Sequence, residues 1–437
     1  MPPKIPTRNK VNYASQFLYS CFDAVGNHFA NHKSDDENTH RNKHWNEIDG
    51  GNQVRQLHRI QGINHSFQTN FIDINEYGRL ARIEKTFLET PNVTLDFEYY
   101  LADGYNEQVV GFIIDGKHQA LRKHIMPEDR LYGQNFFIVQ VPDGHDVIHA
   151  NLDDFNEEDV GVIGIGNAFL SQYALTAEVG SAPKARLSYE AANIRSYKGF
   201  KNLPIPAYDF SNQDDCFSSS KKFSIPNTYE SFLYETLPDQ VEDIHFEQGS
   251  VGVGPGDLRI SLDNAGYISQ NLKEINDYSD GAAHIQGFTI NVPMGSTKLS
   301  RIGTSLEYHR SYNFPAKIDI QVRALMGDIR ESKGLCELGT TQKHNLVLIM
   351  QDPRSLCNCN GTLQQEYMKM AFYIKGAVLD AEGFSSSIGD NKVVDLNFSA
   401  QIGGPEDSDS GLFIYGSSFF PDRPRIVSWG QPLFKIY

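Results

Sequence analysis

Four histidines near the N-terminus have the spacing of metal ligands. His28 and His32 stand four residues apart, as do His40 and His44, with Asp35, Asp36 and Glu37 between the pairs. On a helix, i and i+4 share a face and can hold a cation. The surrounding run is rich in Asn, Asp and Lys, however, and reads as a loop, where ligands are not preorganised without further support. Gly249 to Gly256 invites a phosphate-loop reading, but the Gly-Lys-Ser/Thr ending is missing and Pro255 removes an N–H. A turn ahead of a strand over Asp257 to Leu262 is the better reading. Cys357 and Cys359 are separated by one residue, not the two of redox or zinc pairs, and read as part of a surface turn. The acidic run Pro405 to Ser410 lacks the spacing to a bidentate Glu that a calcium loop needs, and reads as a solvated turn. No Gly-x-Ser-x-Gly elbow and no His-Glu-x-x-His helix is present. The expectation is a protein that is not an enzyme and holds no cofactor or metal.

Charge narrows the class further. The 437 residues carry 39 Lys and Arg against 55 Asp and Glu, a formal −16. Clamping nucleic acid by counterion release requires the opposite balance. The five cysteines, Cys21, Cys216, Cys336, Cys357 and Cys359, are scattered and odd in number, which suits free thiols in a reducing compartment. The basic start has no apolar core behind it and does not read as a secretory signal. Val160 to Leu170 is apolar but far short of a membrane span.

What positions the side chains is a pattern stated twice. Ile60 to Asp103 and Ile285 to Met326 both open on Ile-Gln-Gly, and both contain Leu-x-Arg-Ile, at Leu80 to Ile83 and Leu299 to Ile302. Each ends in a strict alternation. Val93, Leu95, Phe97, Tyr99 and Leu101 share one face, as do Ala316, Ile318, Ile320, Val322 and Ala324. Asn135 to Val141 is echoed by Asn345 to Met350, and Ala168 to Ala191 aligns without a gap on Ala377 to Ala400. Three segment pairs in one order imply a duplicated domain, mainly β given the abundance of Phe, Tyr, Gly and Asn. The expected division is an N-terminal arm over 1–56, a first domain over 57–200, a connector over 201–248 and a second domain over 249–437. Short helices are expected at Tyr13 to Val25 and Tyr229 to Leu237. Tyr105 to Gly133 is expected to protrude as a hairpin or loop, with a strand from Val109 to Ile114 entering a turn at Asp115-Gly116. The arm and this loop should order against neighbouring subunits.

The segments Leu57 to Phe67, Gly78 to Ile83, Pro91 to Leu101, Val251 to Asp257, Ala168 to Asn193 and Ala377 to Gly403 together resemble the major tail tube proteins of tailed bacteriophages. The likeness covers most of 57–437, apart from 105–133 and 201–248. It implies two tandem β-sandwich or half-barrel tube domains, each with a short helix and long loops. It also implies stacked rings around a channel, three duplicated chains standing in for a hexamer. The expected setting is the virion tail, assembled in the host bacterial cytoplasm. Expected partners are further copies of the chain and the tape measure, terminator and distal tail proteins; DNA would pass without specific binding, and no membrane is involved. Closure agrees with physics, because a ring leaves no exposed sheet edge. Asp96, Glu98 and Asp319, opposite the apolar faces, are the candidate lumen-facing residues, since a basic wall would hold phosphate. The alternative is a receptor- or carbohydrate-binding β-sandwich of the tail tip, using Tyr99, Tyr100 and Tyr105 as an exposed aromatic cluster.

Overall fold

The computed structural model describes residues 16–22, 54–87, 91–125, 133–142, 144–145, 155–156, 159–201, 203–204, 206, 222–223, 258–264, 285–299, 309–325, 343–351, 368–385, 393–404, 407 and 409–416. The chain is mainly β. In its first part lie β1 (Gln16–Phe22), β2 (Arg55–Gln56), β3 (Ile60–Gln68), β4 (Phe71–Ile74), β5 (Glu84–Phe87) and β6 (Asn92–Tyr100). Two short helices follow, α1 (Tyr105–Val109) and α2 (Arg122–Ile125), then β7 (Gln134–Gln140), β8 (Gly161–Glu178), β9 (Lys184–Ala191) and β10 (Asn193–Lys198). The two-residue strands β11 (Leu203–Pro204) and β12 (Lys222–Phe223) pair with each other. The later part holds β13 (Leu258–Asn264), β14 (Ile285–Pro293), β15 (Ser296–Leu299), β16 (His309–Tyr312) and β17 (Lys317–Leu325). It closes with β18 (His344–Gln351), β19 (Met368–Ser385), β20 (Val393–Gln401) and β21 (Gly411–Gly416).

Strand pairing repeats ladder by ladder. In the first repeat β1 pairs β7, and β7 and β10 flank the first half of β8. The second half of β8 pairs β9, β9 pairs β6, and β6 pairs β3. In the second repeat β13, β18, β19 and β21 reproduce the first set, and β19, β20, β17 and β14 the second. Register repeats too. Phe169 faces Glu190 where Val378 faces Ser399, and both ladders shift just after the next pair, at Leu170 and at Leu379. Such a bulge moves the strand's buried face by one residue, so Leu170 and Tyr173 both reach the core.

Each repeat therefore bends one long strand through two sheets. At the bend Asn167 and Gly376 both adopt left-handed backbone, φ 53° and 71°, a conformation glycine takes freely and Asn tolerates. The amide N–H of Asn167 donates to the Asn135 side-chain oxygen, and that of Gly376 to Asn345, both at 3.3 Å. Asn135 and Asn345, second residues of β7 and β18, thus hold the bend in the long strand beside them.

Between the sheets lies a continuous apolar core that includes Phe97, Tyr173, Leu187 and Phe288 from one layer and Phe136, Ile165, Leu348 and Phe372 from the other. Residues 105–125 add to it. They do not protrude: Val110, Phe112, Ile114, Ala120 and Leu121 are buried, and the backbone bonds the second repeat through Gly116 N–H to Ile414 C=O and Ala120 N–H to Leu412 C=O. Gly104 and Gly416 meet so closely that a Cβ on Gly416 would fall 2.7 Å from the Asp103 carbonyl oxygen. The expected strand over 109–114 is the end of α1 followed by irregular chain, because the Glu107 carbonyl is taken by Phe112 N–H.

Two other expectations fail. Where a helix is expected over Tyr13 to Val25, the described residues Gln16–Phe22 form a strand whose Leu18, Tyr19 and Cys21 are buried against β7 and its surroundings. It belongs to the first repeat's sheet, not to a separate arm. The Leu-x-Arg-Ile match is also not a structural one. Ladder positions from β3 to β6 recur 225 residues on, Ile60 at Ile285 and Tyr100 at Leu325, which puts Leu299 of β15 level with Ile74 of β4. Leu80 sits in the turn beyond β4. Tyr229 to Leu237 lies outside the described residues.

Among the described residues Glu107 is the carboxylic acid buried in the core. Tyr99 O–H donates to Glu107 Oε1 at 2.8 Å, and burial pushes the Glu107 carboxyl up to about 7 from 4.5. Burial pulls the imidazoles of His58 and His124 down to about 4 from 6.5. The signs oppose. Glu107 contributes stability that is complete below pH 4.5 and lost as pH rises to about 7, whereas the histidines' contribution is present above 6.5 and lost as pH falls to about 4. Glu107→Gln keeps an acceptor for Tyr99 and removes only the first slope. In urea titrations the variant should match its parent near pH 4.5 and exceed it by up to about 3 kcal/mol at pH 8. A difference independent of pH would contradict a buried, titrating Glu107.

Candidate assembly site

The two repeats meet edge to edge. β14, the outer strand of the second repeat, pairs antiparallel with the second half of β8 from Gly287↔Glu178 to Pro293↔Gln172. One eight-stranded sheet results, in the order β3-β6-β9-β8-β14-β17-β20-β19. Its apolar face lies on the core. Its other face is open, because partners in an antiparallel ladder share a face and the alternation carries across every strand.

Asp96, Glu98 and Asp319 all stand on that open face. Asp96 accepts a short hydrogen bond from Ser188 Oγ and lies 3.8 Å from an Arg186 nitrogen. Glu98 lies 3.8 Å from Lys184 Nζ. Asp319 faces Asn291 and Ser399 in register. Arg323 binds Asp395 on the same face at 3.0 Å. Cations and carboxylates thus alternate, and with Lys317 also exposed here the chain's acidic excess is not concentrated on this surface. Sequence reasoning found the carboxylates from the alternation of β6 and β17. It missed the cations beside Asp96 and Glu98, Arg186 and Lys184, which come from β9 and are visible only once β6 and β9 are in register.

The two ends of the sheet are where it is incomplete. β14 is covered by β8, and its Phe288, Ile290 and Val292 are buried. The same positions on β3 are Ile63, His65 and Phe67, of which His65 and Phe67 are exposed, Phe67 to 53%. Beyond β3, the hairpin β4–β5 exposes Phe71, Ile72 and Ile74, with Ile83 beside it. The corresponding hairpin β15–β16 lies on the first repeat instead. Arg310 is 1% exposed; its Nη1 donates to the Glu190 carbonyl at 3.1 Å and meets Glu190 Oε2 at 3.3 Å, and the guanidinium sits 5.0 Å from the Phe169 ring centre. Tyr312 O–H donates to Leu170 C=O at 3.1 Å, and Met294 N–H to Ser171 C=O at 2.7 Å.

The other sequence candidates contribute little to this site. Tyr99 is buried on Glu107 and Tyr105 packs on His58, with ring centres 4.8 Å apart, so no exposed Tyr99-Tyr100-Tyr105 cluster exists. Asp407 accepts from the N–H groups of Asp409 and Ser410; Pro405, Glu406 and Ser408 of that expected turn lie outside the described residues. The four N-terminal histidines, Gly249 to Gly256, and Cys357 and Cys359 lie outside the described residues. Among the described residues no group of three or more His, Cys, Asp or Glu is placed to hold a metal. No helix among them is long and apolar enough to cross a membrane.

No family model and no curated protein matches the sequence. Among solved structures, a chain of the anti-feeding prophage (AFP) baseplate, determined by cryo-EM and 6-fold symmetrised, is similar over 43% of this chain and 96% of its own. Identity is 10% and the TM-score 0.25. A likeness of that size says nothing about how this chain assembles.

The contact between repeats can be probed alone. Glu190→Ala removes the carboxylate beside the buried Arg310 guanidinium, which costs about 2 kcal/mol in urea unfolding, discounted for the partial exposure of Glu190. Asp96→Ala, on the open face, should cost about 1 kcal/mol or less. Equal losses at both sites would contradict a buried junction beside an open face.

Proposed function

We propose that this chain is a structural protein of a phage-like tail, and specifically the tube subunit, not an enzyme. The observation that supports it most is the junction of β8 with β14. One copy of the interface is made within the chain, and its two halves recur, unpaired among the described residues, on β3 at one end of the sheet and on the second half of β19 at the other. A surface whose complement lies elsewhere on the same molecule makes a head-to-tail contact, which closes into a ring if the rotation permits. Three chains of eight strands each would close a twenty-four-stranded barrel. At ~4.8 Å per strand, its backbone would enclose a diameter of ~37 Å before strand tilt widens it. That is room for duplex DNA.

In this reading the open face lines the channel. Its paired charges present DNA with no basic stripe to grip, so passage needs no specific binding. Stacked rings form the tube, and tape measure, terminator and distal tail proteins would meet its ends in the virion. A receptor- or carbohydrate-binding role at the tail tip loses its aromatic cluster to the core.

Native mass spectrometry and electron microscopy of the purified full chain test the proposal. The expected species is a ring of three chains with an open lumen and sixfold-like features, stacking into tubes. A stable monomer that binds glycans, or a ring of six chains, would overturn it.

A further inference from the structure

Resting on that ring reading, we infer that hairpin β4–β5 docks on the second repeat of the neighbouring copy and is locked there by an ion pair between Asp73 and the neighbour's Lys317. The template is the hairpin that is already docked. Positions in β3–β6 recur 225 residues later in β14–β17, and those in β8–β9 recur 209 later in β19–β20. Each contact of the docked hairpin therefore names a contact between chains. Met294 N–H on Ser171 C=O becomes Thr69 N–H on Asp380 C=O.

Polar chemistry changes between the two junctions. Within the chain the buried pair is Arg310 with Glu190; the same positions between chains hold Lys85 and Ser399. Lys298 Nζ donates to Asn92 Oδ1 at 3.0 Å within the chain; between chains those positions are Asp73 and Lys317. An ion pair is thus lost at one place and gained at another. Both residues are exposed in the isolated chain. Asp73 is already paired with Arg82 at 2.9 Å, so Lys317 would join an existing carboxylate–guanidinium pair.

The change also encodes which hairpin goes where. Were β15–β16 to dock on a second repeat, Lys298 would meet Lys317, and like charges at that spot oppose the wrong pairing. The apolar side chains of β4–β5 fit the same occupant. Phe71, Ile72 and Ile74 are exposed here; in the docked hairpin the positions of Phe71 and Ile74 are held by Ser296 and Leu299, which are half-buried, while that of Ile72 is held by Thr297, which stays exposed.

Charge exchange tests this on the full chain. Lys317→Asp should lower the trimer fraction in native mass spectrometry at low salt by at least tenfold, and Asp73→Lys likewise. The double exchange Asp73→Lys with Lys317→Asp should restore rings to near the parental level. Both sites are surface positions, and unchanged circular dichroism of each variant separates misassembly from misfolding. Lys317→Asp assembling like its parent, or a double variant as defective as the singles, would overturn the pair and leave the ring intact. A parent that forms no trimer would remove the ring reading itself, and this pair with it.

Discussion

An open sheet edge is a row of backbone donors and acceptors with no partners, and in water it invites another strand. Among the described residues this fold has two such edges, at the ends of one eight-stranded sheet, and it has already shown how it satisfies one of the same kind. The β8–β14 ladder is an edge contact made permanent by covalent linkage of the repeats. Everything else about the molecule follows from needing that contact to be strong and to be repeatable. The buried Arg310, the exposed β4–β5 hairpin and the difference between the two hairpins' charges are its consequences.

Edge availability depends in turn on the bend in β8 and β19. A straight strand in one sheet would give its second half no separate set of partners. The left-handed residue at 167 and at 376, tied by Asn135 or Asn345, turns the strand so that its first half closes a sandwich and its second half faces the next repeat. The bulge after Leu170 and Leu379 then resets which side chains point inward. Replacing the tie would disturb both sheets at once, since one strand carries both.

Much of this was legible in the sequence, and the parts that were not have physical reasons. Period-two alternation found β6 and β17 with their inward faces correct, because each strand has one wet side. The Asn-led segments and the gapless 168–191 match gave true equivalences, since bend, bulge and register all constrain them together. Gln16–Phe22 was misread as helix because a strand buried in the middle of a sheet has no alternation to show, and its clustered apolar residues fit a helical face equally well. The Leu-x-Arg-Ile match misled because Leu80 sits in the turn beyond β4, outside the ladder, whereas Leu299 lies within β15, so the letters do not mark equivalent places. Residues 105–125 read as a protrusion, yet they bury against β21, a partner some 290 positions further along the chain (Ala120 on Leu412). Asp96, Glu98 and Asp319 were found, but Arg186 and Lys184, which offset the first two, were not.

The most direct measurement is a cross-link across the edge between copies. Thr289 faces Thr176 in the junction within the chain; the corresponding positions at the free edges are Asn64 on β3 and Ser385 on β19. Directly opposed antiparallel positions lie at about 4.5–5.5 Å between Cα atoms, inside disulfide reach. Oxidised Asn64→Cys, Ser385→Cys protein, run under denaturing, non-reducing conditions, should collapse to one covalent trimer that reduction returns to monomer, while each single variant stays monomeric. A double variant that remains monomeric although rings are present, or a ladder continuing past three chains, would contradict a closed ring built by repeating the β8–β14 contact.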